Sequence, residues 1–414
     1  MRVVIATDAY YPMTNGVAVF SRNLAEGLAK RGHEVMVICP SFNGRRHKRN
    51  DRKTGVIMFS LKSLRFPFYP DQIEKAPEMK RILYRNGLHV AVNPYHQIKK
   101  VLDDFQPDVI HLQTAGMIGV ATRMYVEKRK VPLVSTGHSY PDNFTGQFKL
   151  LKPVKKPVDA MTKNYLNSFL KHSDYATMPT EMAIDDLVPK NRKRFKVTVE
   201  PLSNGVDLSQ FSPGTPTSKV LKKYKIDPSK PRVIYVGRVD PEKSVETVLL
   251  AFSRALKKVP NAEMLVVGDG IDRGRLERKI ASEGLSEKIR FLGKVMPPEL
   301  QDVYRTGSVF ATASETETQG IVLIEAAATG LPLIAVDAGA IREVCQNGKN
   351  GFLCKPGDVK RIAEAMSKIL ADKKMREKYS KESLKIAKKH DLNTTLQRFE
   401  EIYQKAIEIS ELKG

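Results

Sequence analysis

At 414 residues and 41% hydrophobic, the chain is too long for one ordinary α/β core and lacks the low hydrophobicity of a disordered one, so two domains with buried sheets are expected. Its three cysteines, Cys39, Cys345 and Cys354, have neither CxxC nor Cys/His metal spacing, which argues against a disulfide framework or a zinc module. The net charge of +23 is uneven: the first 200 residues hold 33 of the 69 Lys and Arg but only 18 of the 46 Asp and Glu.

The N-terminus reads directly into a strand, Val3–Ala6, without an apolar signal-peptide core. No stretch approaches the roughly 18 uninterrupted apolar residues of a membrane span. A cytoplasmic protein is expected, peripheral at most, on the inner face of the cell membrane. Short apolar runs then alternate with longer helical patterns. Strands are predicted at Val35–Cys39, Val56–Phe59, Val109–Leu112, Leu133–Thr136 and Tyr175–Met178. Helices are predicted at Val17–Arg31 and Asn93–Phe105. Two basic runs interrupt this half: Arg45, Arg46, Lys48, Arg49, Arg52 and Lys53, then Lys190, Arg192, Lys193, Arg194 and Lys196. They either attract a polyanion, nucleic acid or acidic lipid, or form a solvated face.

A linker rich in Ser, Gly, Pro and Asp lies between Ser203 and Pro231. A second series of strands follows at Val233–Val236, Met264–Val267, Ile289–Leu292, Val309–Thr312 and Leu333–Val336. Helices are predicted at Ser244–Lys257, Arg273–Glu283, Gly320–Thr329, Val359–Leu370 and Leu392–Ile409. Alternating β and α elements imply parallel sheets with right-handed crossovers. The expected division is 1–204, joined by a C-terminal helical segment 386–414, and 205–385.

Ligands of open parallel sheets bind beyond the carboxyl ends of the strands, so strand-to-helix junctions hold the candidate sites. The first, Asp8–Val17, lacks GxGxxG, which argues against a nicotinamide dehydrogenase. Gly16, just before a helix, either lets backbone amides approach an anion or sugar or is an ordinary loop glycine. After Val236 comes GRVDPEKS, with Arg238 and Lys243 five residues apart. Such cations can neutralise a diphosphate or form a surface pair. In Gly268–Asp269–Gly270, small residues leave room for a base or phosphate, or make a tight turn. The segment Ser314–Pro332, SETETQGIVLIEAAATGLP, is the most specific. Glu317 precedes a helix that Gly320 opens, and Glu325 lies within it, eight residues on. The helix amides suit a phosphate, while the carboxylates can accept from sugar and ribose hydroxyls.

This segment closely resembles the E-x7-E signature of glycosyltransferase family 4. GRVDPEKS, GDG, SNGVD and the N-terminal NGV are also similar to family motifs. The resemblance extends over nearly the whole chain. It implies the GT-B fold, α/β with two Rossmann-like parallel-sheet domains facing across a cleft, a nucleotide-sugar donor and retention of anomeric configuration. By resemblance, Arg238 and Lys243 hold the diphosphate, Glu317 the donor sugar and Glu325 the ribose. Gly16, Gly268, Gly270, Gln319, Gly320 and Ile321 complete the donor site. His138 of STGHS matches a first-domain histidine that faces the sugar. This chain has Glu317–Thr318–Gln319–Gly320 where the family commonly has EGFG. That variant looks like bacterial diacylglycerol and related lipid glycosyltransferases.

No second carboxylate pairs with Glu317 as in glycosidases. The family mechanism is front-face substitution, in which the leaving diphosphate takes the acceptor's proton. No DxD cluster is visible, so a reaction without metal or cofactor is expected, with the nucleotide sugar, a UDP-sugar first, as substrate.

A lipid acceptor at an anionic membrane is suggested by Lys152, Lys155, Lys156, Lys163 and Lys171 around Val158, Met161, Tyr165, Leu166, Phe169 and Leu170. That pattern fits an interfacial helix or a core-facing one. The aromatic and basic stretch Lys62–Tyr69 is an interfacial or packed loop. Diacylglycerol with UDP-glucose leads. Phosphatidylinositol with GDP-mannose and soluble sugars follow. A polyanion-binding protein without enzymatic activity is the reading from another class. No RNP motif, zinc spacing or helix-turn-helix favours specific nucleic-acid binding.

Overall fold

A computed structural model describes residues 1–13, 15–42, 45–65, 89–139, 155–189 and 195–413. Phe66–Tyr69, Lys152, Lys190, Arg192, Lys193 and Arg194 lie outside the described residues. The chain forms two compact units, Met1–Asn204 with Asn393–Gly414, and Gly205–Leu392.

The first unit is built on an eight-stranded sheet. In chain order its strands are β1 (Arg2–Ala6), β2 (Glu34–Pro40), β3 (His47–Asn50), β4 (Ile57–Leu61), β7 (Val109–Leu112), β8 (Leu133–Thr136), β9 (Tyr175–Met178) and β10 (Thr198–Pro201). A separate antiparallel pair is made by β5 (Ser63–Arg65) and β6 (His89–Ala91). The spatial order is β10-β9-β8-β7-β1-β2-β4-β3. Only β3 runs antiparallel, along β4. It carries part of the first basic run, and Lys48 and Arg49 are exposed. Charge on an edge strand blocks pairing with another chain, which is why a strand there reads as a solvated run.

Helix Gly16–Lys30 is capped by Asn15, whose side chain accepts from the Ala18 amide at 2.9 Å. Phe20, Leu24 and Leu28 recur at helical spacing and are buried. The last helix, Leu392–Lys413, closes on this sheet through Phe399, Ile402, Tyr403 and Ala406, all buried. It comes so near Gly27 that a Cβ there would meet Leu396 at 2.4 Å. The Tyr403 hydroxyl reaches His111 Nδ1 at 2.8 Å, and Arg398 grips Glu200 at 2.6 and 2.7 Å.

Helix Lys155–Lys171 divides the residues that its sequence places on one apolar face. Leu166, Phe169 and Leu170 belong to the core of the first unit, whereas Met161 is 74% and Tyr165 48% exposed. The helix therefore has a core side and a smaller exposed apolar side.

The second unit holds an all-parallel six-stranded sheet. Its strands are β11 (Arg232–Val236), β12 (Glu263–Val267), β13 (Ile289–Gly293), β14 (Val309–Ala311), β15 (Leu333–Val336) and β16 (Gly351–Cys354), in the order β13-β12-β11-β14-β15-β16. Every residue of β11, β12, β14 and β15 is buried, as expected of central parallel strands. Among the described residues, no helix is long and apolar enough to cross a membrane.

Candidate active site

The position of the site follows from strand order. In the second unit, β12 lies on one side of β11 and β14 on the other. The loops leaving β11 and β14 therefore diverge at the point where the winding reverses, the usual crevice of such sheets. The first loop carries Arg238 and ends in a single turn, Pro241–Lys243. The second carries Ser314 to Gln319 and enters helix Ile321–Ala328.

Across this point Lys243 Nζ meets Glu317 Oε1 at 2.7 Å, with Ser314 Oγ 3.4 Å from the same ammonium. The two charged side chains are only 16% and 21% exposed. Burial pushes the Glu317 pKa up, but Lys243, then Ser314 and Arg238, outweigh it and hold the carboxyl below its ordinary range. Glu317 is thus an ionised acceptor, oriented by a cation that can also face a diphosphate.

Arg238 bonds with Asp240 and Glu242 of its own loop and is 43% exposed. A phosphate bound here would share the guanidinium with those carboxylates. Burial raises the Asp240 pKa despite Arg238 and the Ile271 amide. The glycines of GDG have a different use from the one suggested by their size. A Cβ on Gly268 would fall 1.8 Å from the Gly237 carbonyl oxygen, and one on Gly270 would fall 2.4 Å from Asp240 Oδ1. The room they leave is taken up by the neighbouring β11 loop.

Gln319 is buried, and Gly320 adopts φ 76° at the helix cap, where a side chain would be strained. Ile321 begins the helix, whose first amides have no intrahelical acceptor and carry the positive dipole end. One turn in, half-buried Glu325 accepts from the Tyr304 hydroxyl at 2.8 Å. Burial pushes its pKa up to about 7, with Tyr304 pulling the other way. The two glutamates of the E-x7-E spacing therefore differ in charge state: one is fixed as a carboxylate, the other titrates near neutrality.

The remaining candidates belong to the first unit, where the same rule operates between β1 and β7. Loops after these strands meet as Thr114 Oγ1 donates to Asp8 Oδ2 at 2.7 Å. Asp8 Oδ1 also accepts from the Ile118 amide at 3.1 Å. Burial raises the Asp8 pKa against these bonds. His138, after β8, is buried with Nε2 2.7 Å from Gln113 Oε1 and its ring 5.2 Å from that of Phe20. Burial drives its pKa down to about 3, so it is a neutral hydrogen-bonding group. Gly16 is exposed as the first residue of its helix.

Tyr304 and Gln113 carried no signal in the sequence, since both act on partners outside their own segments. Ser314 and Asp240 lie inside motifs already singled out, but only the folded loops show what they bond. Among the described residues, no group of three or more His, Cys, Asp or Glu could hold a metal ion.

Residues 217–386 match the family described as glycosyl transferases group 1, and residues 14–210 match the one described as Glycosyltransferase Family 4. The chain is a glycosyltransferase that carries these two family domains in succession. Relatives of this glycosyltransferase include an alpha-monoglucosyldiacylglycerol synthase from Acholeplasma laidlawii, 28% identical over 366 residues, covering 85% of this chain and 84% of the relative. A GDP-mannose-dependent alpha-mannosyltransferase from Mycobacterium tuberculosis is 27% identical over 379 residues, covering 90% and 89%. Among solved structures, a sucrose-phosphate synthase from Thermosynechococcus elongatus has a TM-score of 0.77 over 98% of both chains at 19% identity. The glycosyltransferase has the GT-B fold, with a Rossmann-like parallel sheet in each unit.

Proposed function

We propose that this glycosyltransferase moves glucose from UDP-glucose to a diacylglycerol-type lipid at an anionic membrane surface, with retention of configuration. The observation that carries the donor half is the Lys243–Glu317 ion pair at the strand-order reversal, beside the start of helix Ile321–Ala328. As the glycosidic bond breaks, negative charge grows on the diphosphate. Lys243, Arg238 and the helix amides stabilise that charge more than they stabilise the ground state, which is the condition for catalysis. Glu317 accepts from hydroxyls of the donor sugar, and Glu325 accepts from the ribose. Neutral His138 gives its one proton from Nε2 to Gln113 Oε1, which leaves Nδ1 as an acceptor for a sugar hydroxyl. The acceptor hydroxyl attacks the anomeric carbon on the face from which the diphosphate leaves. Its proton passes to a diphosphate oxygen, so no protein base is consumed.

The lipid half draws on the relative named for diacylglycerol and on a surface of the first unit. Exposed Met161 and Tyr165 stand on helix Lys155–Lys171 with exposed Lys156 and half-buried Lys163. The Tyr165 hydroxyl donates to the Ala115 carbonyl, near Met117, which is 49% exposed. Apolar groups beside cations suit an anionic interface, each cation adding about 1 kcal/mol of attraction. The relative named for GDP-mannose supports a second reading of the donor, GDP-mannose in place of UDP-glucose.

A donor and acceptor screen tests the proposal. UDP- and GDP-sugars are offered with vesicles containing diacylglycerol or phosphatidylinositol and with free sugars, while nucleotide release and product mass are followed. The expected result is UDP release that depends on diacylglycerol. Turnover with soluble sugars alone would overturn the lipid acceptor and leave the donor chemistry standing.

A further inference from the structure

Tyr304 lies on helix Glu299–Arg305 and is fully buried. Its ring is fixed by Phe211 and Phe310, with centroids at 5.9 and 6.2 Å. The hydroxyl has one proton to give. It lies 2.8 Å from Glu325 Oε2 and 3.3 Å from the Val322 carbonyl. Among the described residues, no other group donates to the Glu325 carboxylate. Helix Lys373–Lys388 packs on the Glu325 helix, and its Ser380, Ser383 and Leu384 meet Gly330 and Leu331 just beyond that helix. The short helix Ile341–Val344, which also packs there, carries Arg342 and Glu343, but neither acts on this carboxyl.

We propose that Tyr304 is a positioning residue: it occupies one oxygen of Glu325, turns the other toward a ribose hydroxyl, and so sets the preference for a ribonucleotide. This rests on the reading of Glu325 as the ribose ligand. A structural role would need only the ring. Phenylalanine would make the same contacts with Phe211 and Phe310, and burial alone would then act on the carboxyl. The hydroxyl favours the ionised form of a half-buried carboxyl against the effect of burial and limits its rotation, so part of the cost of ordering it is met before the nucleotide arrives. Tyr304 is the one titratable group among the described residues that acts on this carboxyl. The two therefore form a local pair whose behaviour can be read separately from the rest of the site.

The test is calorimetric titration of the full chain with UDP and GDP, and with the 2′,3′-dideoxy form of each, from pH 6 to 8.5. The parent should prefer the ribonucleotide, and Glu325→Gln should lose most of that preference. Tyr304→Phe should lose roughly tenfold of it at pH 7. Its preference should return only at higher pH, with the midpoint moved up by about one unit, because the hydroxyl favours the ionised carboxyl. Installing 3-fluorotyrosine at position 304 keeps the packing and gives a stronger donor, so the midpoint should move down. Thermal melts identify any variant that fails to fold. If Glu325→Gln keeps the parent's preference, the ribose reading of Glu325 fails and takes this proposal with it. If Glu325→Gln loses the preference while Tyr304→Phe and the fluorinated protein behave as the parent, this proposal alone is overturned.

Discussion

Replacing Lys243 with methionine keeps the length of the side chain and removes its charge, leaving Glu317 as a carboxylate only 21% exposed. Breaking a fully buried pair by removing one partner costs about 3–5 kcal/mol, whereas an exposed pair contributes about 0–1. With the two side chains roughly four-fifths buried, and Ser314 and Arg238 still acting on the carboxylate, the loss should be about 2 kcal/mol. For a domain of this size that lowers Tm by about 4–8 °C. The pH dependence has a definite sign. In the parent the Glu317 pKa is held down, so its stabilisation is complete above the ordinary carboxyl range and is lost as pH falls through the folded value. The gap in Tm between parent and Lys243→Met should therefore be full at pH 7 and should close under acid conditions. Adding Glu317→Gln should recover most of the loss, because no buried charge is then unpaired. Calorimetric melts of the parent, both single variants and the double variant complete the cycle. A Lys243→Met protein that melts with the parent at pH 7, or a gap that ignores pH, would refute the pair as a coupled buried unit.

Arg238→Ala should lower kcat by at least roughly tenfold, about 1.4 kcal/mol, with nucleotide affinity changed less, because the charge it answers grows in the transition state. Steady-state kinetics beside nucleotide titration separate the two. Gly268→Ala should destabilise the second unit by more than about 3 kcal/mol, since its Cβ would overlap the Gly237 carbonyl at 1.8 Å and φ is 130°; chemical denaturation measures it. Vesicle flotation should be weakened by Met161→Ser with the fold intact. Phe169→Ser should instead lower Tm, because Phe169 is a core residue. Equal flotation of parent and Met161→Ser would remove the exposed side of this helix from the membrane proposal.

Buried parallel strands were the most legible part of the sequence. Val109–Leu112, Leu133–Thr136 and Tyr175–Met178 are found with the predicted bounds, because a strand covered on both faces reads as an apolar run. Three edge or near-edge strands left no such trace. His47–Asn50 is charged, Thr198–Pro201 is half exposed, and Gly351–Cys354 begins on a glycine that touches the Leu333 backbone. In the site, the residue types and their loops were readable, but their pairings were not. Lys243 and Glu317 are 74 residues apart and meet only because β14 lies beside β11. His111 and Tyr403, separated by 292 residues, meet because the last helix returns to the first sheet. The glycines of GDG announced a close approach without showing that the neighbouring loop makes it. On helix Lys155–Lys171, periodicity gave an apolar face but could not divide it between core and surface.

The most direct measurement of the central claim follows the reaction by NMR, with UDP-glucose and vesicles carrying diacylglycerol and anionic lipid. UDP should appear in step with a glucosyl lipid whose anomeric proton has the α configuration of the donor, and both signals should fall together in Lys243→Met. A β-linked product would contradict retention. Absence of nucleotide release from every UDP- and GDP-sugar, with any acceptor, would contradict the donor site built around Lys243 and Glu317.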